Sequence, residues 1–147
     1  MRYFRWVGIF VLIYLNSLVS AQNARVWVDS VLSTMTVDEK IGQLFVVATY
    51  SNKEESDYRA MEAQVRRLHL GGSTFMQGNP EAQVKLITRY QQASKVPLLI
   101  SQDAEWGLSM RLKNVPRYPK NMTLGAIQDD SLIYHLGKQM GRDLRRV

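Results

Sequence analysis

The chain has 147 residues, 46% of them hydrophobic, which suits one ordinary globular domain. It contains no cysteine, which excludes disulfide bonds and an acylated-cysteine lipoprotein anchor. The formal charge is +6, but the basic residues are scattered, and their densest cluster, 142–146, has neither interleaved aromatic residues nor a nucleic-acid motif. No nucleic-acid partner is therefore predicted.

The first 21 residues have the pattern of a secretory signal peptide. Arg2 and Arg5 precede the apolar block 6–15, and a polar segment with small residues follows it. We expect cleavage after Ala21, which leaves residues 22–147 as an exported domain. A membrane anchor is the alternative, but the apolar block falls short of the ~20 residues that a spanning helix needs. The absence of cysteine fits the bacterial periplasm or the cell exterior.

The segment after the signal peptide predicts two helices and a strand. Helical spacing predicts a helix over 25–35. Thr36 and Glu39 then form a capping-box pattern, which predicts a short helix as far as residue 43. The run 44–49 is continuously apolar and rich in β-branched residues, which predicts a strand buried on both faces.

A third helix and a second strand are predicted over residues 55–76. Helical period returns at 55–69, and Gly71-Gly72 is expected to stop that helix. The segment 73–76 follows as a short strand. The predicted inward positions of the helix are Tyr58, Met61, Val65 and Leu68.

The rest of the chain predicts one more strand between two helices. Asn79-Pro80 can cap and start a helix that runs to about residue 94, and 97–101 is the third strand. After a long connection, Asp130 starts a helix that continues to the chain end. The predicted inward positions of these helices are Val84, Ile87, Tyr90, Ile133, Leu136, Met140 and Leu144.

This alternation of strands and helices predicts an α/β fold with parallel strands. The pattern fits either an open doubly wound sheet or the start of a closed barrel. Ligand sites lie at the carboxyl ends of the strands in both folds. Asp103 follows the third predicted strand and is therefore a candidate binding residue.

Residues 70–112 contain a series of short motifs in a characteristic order. They are Gly71-Gly72, Asn79, Pro80-Glu81, the strand Pro97 to Ile100, Asp103, Glu105, Gly107 and Arg111. In this order and spacing the chain resembles the N-terminal part of the family 3 glycoside hydrolases, with a closer resemblance to their β-N-acetylhexosaminidase branch. The resemblance extends from about Met35 to the end of the chain.

The resemblance implies a (β/α)₈ TIM-type barrel, of which residues 22–147 hold about three of the eight βα units. It also implies that Asp103 accepts hydrogen bonds from hydroxyls of the nonreducing terminal sugar and that Arg111 helps to bind that sugar. Charge-assisted hydrogen bonds and a planar guanidinium suit this task. We expect Glu105 to pair with a basic residue and shape the loop. Trp106 either stacks on a sugar face or wedges the loop.

No catalytic residue is assigned within this chain. Retaining glycoside hydrolysis needs a nucleophile and an acid/base, and the resemblance implies that both, with a Lys-His sugar-binding pair, lie beyond Val147. Because a (β/α)₈ barrel needs about 250 residues, we expect the sequence to be a truncated N-terminal part. The resemblance implies that no metal or cofactor is needed, and the spacing of His69 and His135 in the sequence does not match a metal-ligand pattern.

The function that the resemblance implies is exported glycosidase activity on terminal β-linked N-acetylhexosamine, with retention. The truncated chain by itself is expected to be inactive. A β-glucosidase of the same family is the alternative activity. A noncatalytic sugar-binding module is an alternative of another class, based on chain length alone. In all three hypotheses the partner is a carbohydrate.

Overall fold

A computed structural model describes residues 24–147, so the predicted signal peptide lies outside the described residues. The elements in chain order are α1 (24–34), α2 (Val37–Gly42), β1 (Val46–Thr49), α3 (Glu55–Leu68), β2 (Gly72–Phe75), α4 (Pro80–Ala93), β3 (Leu99–Gln102), a 3₁₀ helix (Leu108–Met110), α5 (Asn121–Leu124) and α6 (Asp130–Leu144). The described chain divides into two units between Lys40 and Ile41, and the second, Ile41–Val147, contains all three strands. No helix within 24–147 has the length and apolar character needed to cross a membrane.

The three strands form one parallel sheet in the order β1-β2-β3. Val46 pairs with Gly72, and Gly72 pairs with Leu99, so the strands start level with one another. Helices α3 and α4 are the connections between consecutive strands. The predicted α/β fold with parallel strands and three strand–helix units is confirmed.

The hydrophobic core lies between one face of the sheet and helices α3 and α4. Phe75 and Val65 are fully buried in it, and Val47 packs against it. Burying such a side chain stabilises the fold by about 1.5–3 kcal/mol. The buried core residues are Met61, Val65, Leu70, Phe75, Leu86, Tyr90, Ala93 and Leu98.

Among residues 24–147, no helix packs on the opposite face of the sheet over Val46 and Leu99, and we call this face the open face. Strand residues alternate between faces, so Val46 and Leu99 lie on the face opposite Val47 and Phe75. Val46 is 53% exposed and Leu99 is 75% exposed. The prediction that 44–49 is a strand buried on both faces is therefore wrong for the described residues, because both covering helices pack on the same side. Leu44 and Phe45 precede the strand and are also exposed.

The glycine pair 71–72 does not stop α3, contrary to the prediction. The helix ends at His69, which takes the left-handed conformation with φ 51°. Gly71 instead allows a close approach, since a Cβ there would lie 1.9 Å from the carbonyl oxygen of Gln43. The Gln43 amide Nε2 donates to the His69 carbonyl at 2.6 Å and fastens the same corner.

Helix starts follow the predicted capping chemistry. The Thr36 amide donates to Glu39 and the Glu39 amide donates to the Thr36 hydroxyl, which is a capping box. The Asn79 side chain accepts from the Ala82 amide and starts α4 as predicted. Three residues predicted to face inward are substantially exposed: Leu68, Val84 and Leu144.

Candidate functional site

The candidate site begins where β3 ends. Gln102 is the last residue of the strand and Asp103 follows it directly, at the carboxyl edge of the sheet. Leu99 and Ser101 belong to the open face, and Asp103 continues that two-residue series. Two residues before Asp103, on the same face, the Ser101 hydroxyl lies 2.8 Å from the hydroxyl of Thr74 on β2, and this pair is solvent-exposed. Asp103 therefore lies at the top of a partly polar strip of the open face.

Arg111 folds back onto Asp103 and forms an ion pair with it. Its Nη2 lies 2.6 Å from Asp103 Oδ2. Its Nε donates to the Asp103 carbonyl oxygen at 3.2 Å. The guanidinium thus binds both the side chain and the backbone of one residue, which fixes the orientation of the carboxylate. The structure brings together the two predicted sugar-binding residues.

This ion pair leaves polar atoms available to a ligand. The Asp103 side chain is 47% exposed, whereas that of Arg111 is 14% exposed. Within residues 24–147, Asp103 Oδ1 accepts no hydrogen bond and Arg111 Nη1 finds no acceptor. The site therefore offers one free carboxylate oxygen beside one free donor, which is an arrangement that suits adjacent hydroxyls.

The loop from Asp103 to Arg111 is tightly folded. The Gly107 amide donates to the Ala104 carbonyl at 2.9 Å, and Gly107 has φ 82°, which favours glycine. A 3₁₀ helix, Leu108–Met110, then leads to Arg111. Buried Leu108 anchors this turn.

The end of the loop is fastened to the segment after β2. The Gly78 amide donates to the Arg111 carbonyl, and the Lys113 amide donates to the Gly78 carbonyl, both at 3.1 Å. The Ser51 hydroxyl bonds the Asn79 amide at 3.1 Å and joins the segment after β1 to the same region. A Cβ at Gly78 would lie 1.7 Å from the Ser51 oxygen, so only glycine fits this crossing. The carboxyl ends of all three strands thereby support the loop.

Glu105 and Trp106 behave differently from each other. Glu105 is exposed, and no ion pair links it to a basic residue within 24–147, so the expected pairing does not occur there. Trp106 is half-buried, and the Lys120 ammonium lies 5.3 Å from its ring centroid. This cation–π contact holds Trp106 against the connection that follows the loop.

Two residues behind the loop were not singled out from the sequence. The Tyr118 hydroxyl donates to Asp143 Oδ2 at 2.5 Å, and Gln139 Nε2 donates to Asp143 Oδ1 at 3.0 Å. Asp143 is 6% exposed, so a carboxylate of α6 is buried next to the loop. The hydrogen bond to Asp143 raises the pKa of the Tyr118 phenol.

A signal for Asp143 was present in the sequence. The inward series of α6, Ile133, Leu136 and Met140, continues at the same spacing to residue 143 and not to Leu144. An acidic residue in an apolar helical series indicates a buried polar contact. Its partner could not be identified, because Tyr118 lies 25 positions away in an irregular connection.

No group of three or more potential metal ligands occurs among residues 24–147. His69 is the left-handed residue that ends α3, and the His135 ring makes an edge contact with Tyr134. In sequence, both histidines are more than 20 positions from Asp103 and from Arg111.

Comparison with known proteins gives a consistent result. Residues 36–147 match the family model described as glycosyl hydrolase family 3 N terminal domain. A protein from Cellulomonas fimi, named beta-N-acetylglucosaminidase/beta-glucosidase, is 32% identical over 121 residues, which are 82% of this chain and 21% of that protein.

A solved structure shares the fold. It is described as beta-glucoside phosphorylase BglX bound to 2FGlc, with a TM-score of 0.70 and 26% sequence identity over 78% of this chain and 20% of that one. The chain therefore spans about a fifth of the length of each relative. The family match covers the three strands, their helices and the Asp103–Arg111 loop. The chain belongs to glycosyl hydrolase family 3, and residues 36–147 match the N-terminal domain of that family.

Proposed function

We propose that the protein is an exported glycosidase that removes terminal β-linked N-acetylhexosamine residues with retention of configuration. Asp103 and Arg111 would bind the nonreducing terminal sugar. The observation that carries this proposal is the ion pair between them at the carboxyl end of β3, with one carboxylate oxygen left free. Family membership and the activities in the name of the Cellulomonas fimi relative support it.

The geometry supports binding as the role of Asp103. Arg111 holds its carboxylate in one orientation, which suits a hydrogen-bond acceptor. A retaining glycosidase needs a nucleophile and an acid/base on opposite sides of the glycosidic bond. Asp103 and Glu105 are only two residues apart and lie in one short loop. We therefore assign neither of them a catalytic role.

A β-glucosidase is the second candidate activity. The name of the Cellulomonas fimi relative includes both activities, and the solved relative is a beta-glucoside phosphorylase. Asp103 would serve equally in these enzymes, because the hydroxyls that it contacts occur in glucose and in N-acetylglucosamine. The difference between the activities must come from contacts to the group at carbon 2 of the sugar.

The activity test uses the protein as its natural source exports it. Its N-terminal residue should be Gln22 if the signal peptide is cleaved after Ala21. Hydrolysis of a chromogenic β-N-acetylglucosaminide should exceed that of the matching β-glucoside. Both rates should be measured with and without inorganic phosphate, which separates hydrolysis from phosphorolysis. Faster cleavage of the β-glucoside would favour the second activity, and sugar binding without cleavage of either would favour a noncatalytic module.

The role of Asp103 is tested by Asp103→Ala. A hydrogen bond to a charged group contributes about 1.5–3 kcal/mol, so losing two of them should lower kcat/KM by about a hundredfold or more. Glu105→Gln is the matched control, because Glu105 is an exposed carboxylate in the same loop and should leave kcat/KM nearly unchanged. Unaltered kinetics in Asp103→Ala would rule out the sugar-binding role.

A further inference from the structure

We propose that Tyr118 and Asp143 are positioning residues that hold the Asp103–Arg111 loop in its sugar-binding geometry. The expected effect on sugar binding rests on the proposed function. The positioning itself rests on the packing behind the loop. The Tyr118 ring touches the loop at Gly107, midway between the residues of the ion pair, and Asp143 holds that ring through its hydroxyl.

The first step is the contact between Tyr118 and Gly107. A Cβ at residue 107 would lie 2.5 Å from Cδ2 and 3.0 Å from Cε2 of the Tyr118 ring, and 3.6 Å from Met140 Cε. The ring therefore lies directly on the glycine backbone. Gly107 can accept this contact because it has no side chain, and its positive φ sharply turns the loop there.

The second step is the anchor that holds the ring. The Tyr118 hydroxyl donates to Asp143 Oδ2 at 2.5 Å, and Gln139 orients the same carboxylate through Oδ1. Arg146 Nη1, 3.9 Å from Oδ1, balances part of its charge. A buried carboxylate is a poor way to gain stability, because desolvation opposes the gain. It is, however, a strong and directional acceptor that fixes one orientation of the phenol.

The third step is the connection from Gly107 to the ion pair. The Met110 amide donates to the Gly107 carbonyl, and the Arg111 amide donates to the Leu108 carbonyl. These bonds make residues 107–111 one tight turn, so a shift of Gly107 displaces the backbone of Arg111. Arg111 reaches Asp103 with Nε and Nη2 together, and this geometry tolerates little displacement.

The expected effect of loosening this support is on substrate binding. The ion pair would contact the terminal sugar in both the ground state and the transition state, so its loss raises KM more than it lowers kcat. Tyr118→Phe should raise KM about tenfold, the equivalent of one hydrogen bond to a charged group, and leave kcat within about twofold. A merely structural role would lower the melting temperature and the active fraction but would leave KM unchanged.

Three further variants sharpen the kinetic test. Tyr134→Phe removes an exposed hydroxyl on α6 and should change nothing. Asp143→Asn keeps one acceptor oxygen, whereas Asp143→Leu keeps the shape of the side chain and loses both oxygens. The KM of Asp143→Asn should therefore be closer to that of the wild type than the KM of Asp143→Leu. Combining Tyr118→Phe with Asp143→Leu should add little to either single change, because both remove the same hydrogen bond.

An NMR measurement separates this proposal from the proposed function. The Nε–H signal of Arg111, assigned by its loss in Arg111→Lys, reports the bond to the Asp103 carbonyl directly. Tyr118→Phe should shift this signal and speed its exchange with water, whereas Tyr134→Phe should not. An unchanged Arg111 signal in Tyr118→Phe would overturn the positioning role whatever the activity. A changed signal in a protein without sugar binding or cleavage would uphold positioning and refute the proposed function.

Discussion

The ion pair between Asp103 and Arg111 contributes more to geometry than to stability. Asp103 is nearly half exposed, and exposed ion pairs add little to the free energy of folding. The additional bond from Arg111 Nε to the Asp103 backbone restricts the carboxylate to one orientation. A carboxylate that is already oriented loses less conformational entropy when a ligand binds. The pair is therefore suited to recognition.

Tyr90 differs from the ion pair, because its polar atom is buried in the hydrophobic core. Its side chain is fully buried, and its hydroxyl has no hydrogen-bond partner within residues 24–147. The ring borders a cavity of about 330 Å³ between β1 and α3, which Met61 and Tyr58 also line. Burial of the phenol raises the pKa of Tyr90 to about 12.

We expect Tyr90→Phe to increase the free energy of unfolding by about 1 kcal/mol at neutral pH, because it removes an unpaired buried hydroxyl. Since the folded pKa is raised from 10.0 to about 12, ionisation of the phenol favours the unfolded chain. The wild-type free energy of unfolding is therefore unaffected by this titration below pH 10 and falls as the pH rises through 12. The variant lacks this alkaline loss. Urea unfolding of both proteins at pH 7 and pH 11 measures the two effects. A Tyr90→Phe protein less stable than the wild type would show that the hydroxyl is hydrogen-bonded.

The candidate site could be predicted only in part. The alternation of strands and helices places Asp103 at a carboxyl strand end, and the family motif singles out Arg111. That these side chains bind each other could not be read from a separation of eight positions. Tyr118 and Asp143 required the tertiary structure, because α6 meets the loop through residues far apart in the chain.

At the scale of elements, helices α3 and α4, which lie on the same side of the sheet, are joined by charged side chains. Arg89 of α4 binds Glu62 at 2.6 Å and Glu55 at 2.8 Å, both on α3. Hydrogen bonds from Arg66 first and Arg89 second hold the pKa of Glu62 below its usual value. The arginine thus links two helices whose apolar faces meet in the core.

We expect Arg89→Met to lower the melting temperature, because it separates Glu62 and Glu55 from their interhelical partner while retaining an unbranched stem. The lowered pKa of Glu62 means that its contribution exists above the unfolded pKa and is lost as the pH falls through the folded pKa. The difference in melting temperature between the variant and the wild type should therefore become smaller at acidic pH and in 1 M salt. Thermal unfolding at several pH values measures it.

Arg59→Met is the control for Arg89→Met. Arg59 also contacts Glu55, but at 3.8 Å, within one helix and with a side chain that is 66% exposed. It should change the melting temperature much less than Arg89→Met. Equal effects of the two substitutions would mean that joining α3 to α4 contributes nothing beyond surface charge.

The bounds of the three strands and of α1–α4 agree with the sequence prediction within about two residues, because caps and hydrophobic period are local properties. Asn79 is an example, since its side-chain oxygen accepts from the Ala82 amide in the helix that begins at the next residue. Helix α6 ends three residues before the predicted end at 147, and the 3₁₀ helix and α5 were not predicted. Gly71 shows the limit of this reasoning. A glycine is needed at this position because the backbone of Gln43, 28 positions earlier in the chain, lies against it. The local interpretation of Gly71 as a helix stop was therefore wrong.

At the scale of the whole molecule, residues 24–147 cover the sheet on one face only. Continuous apolar runs normally indicate strands buried on both faces, and β1 has such a sequence. Residues 24–147 place α3 and α4 on one side and leave Val46 and Leu99 exposed on the other. The sequence of β1 is therefore that of a strand buried on both faces, whereas among residues 24–147 its side on the open face is in contact with solvent.

We expect the chain, produced as residues 22–147, to self-associate through the open face. An exposed apolar sheet face with unpaired edges favours association. Val46→Thr with Leu99→Thr should reduce both the sedimentation coefficient and the binding of a hydrophobic dye, because threonine keeps the strand propensity and lowers the apolar area.

The matched control for this pair is Val84→Gln with Leu132→Gln. It removes exposed apolar groups from α4 and α6, where the side chains are 41% and 55% exposed. Because these positions lie on separate helices and not on the sheet, the control should leave association unchanged. If the control reduces association as much as the sheet variant does, the driving force is total surface hydrophobicity. If only the sheet variant reduces it, the open face is the contact surface, and any structure that covers it must pack against Val46 and Leu99.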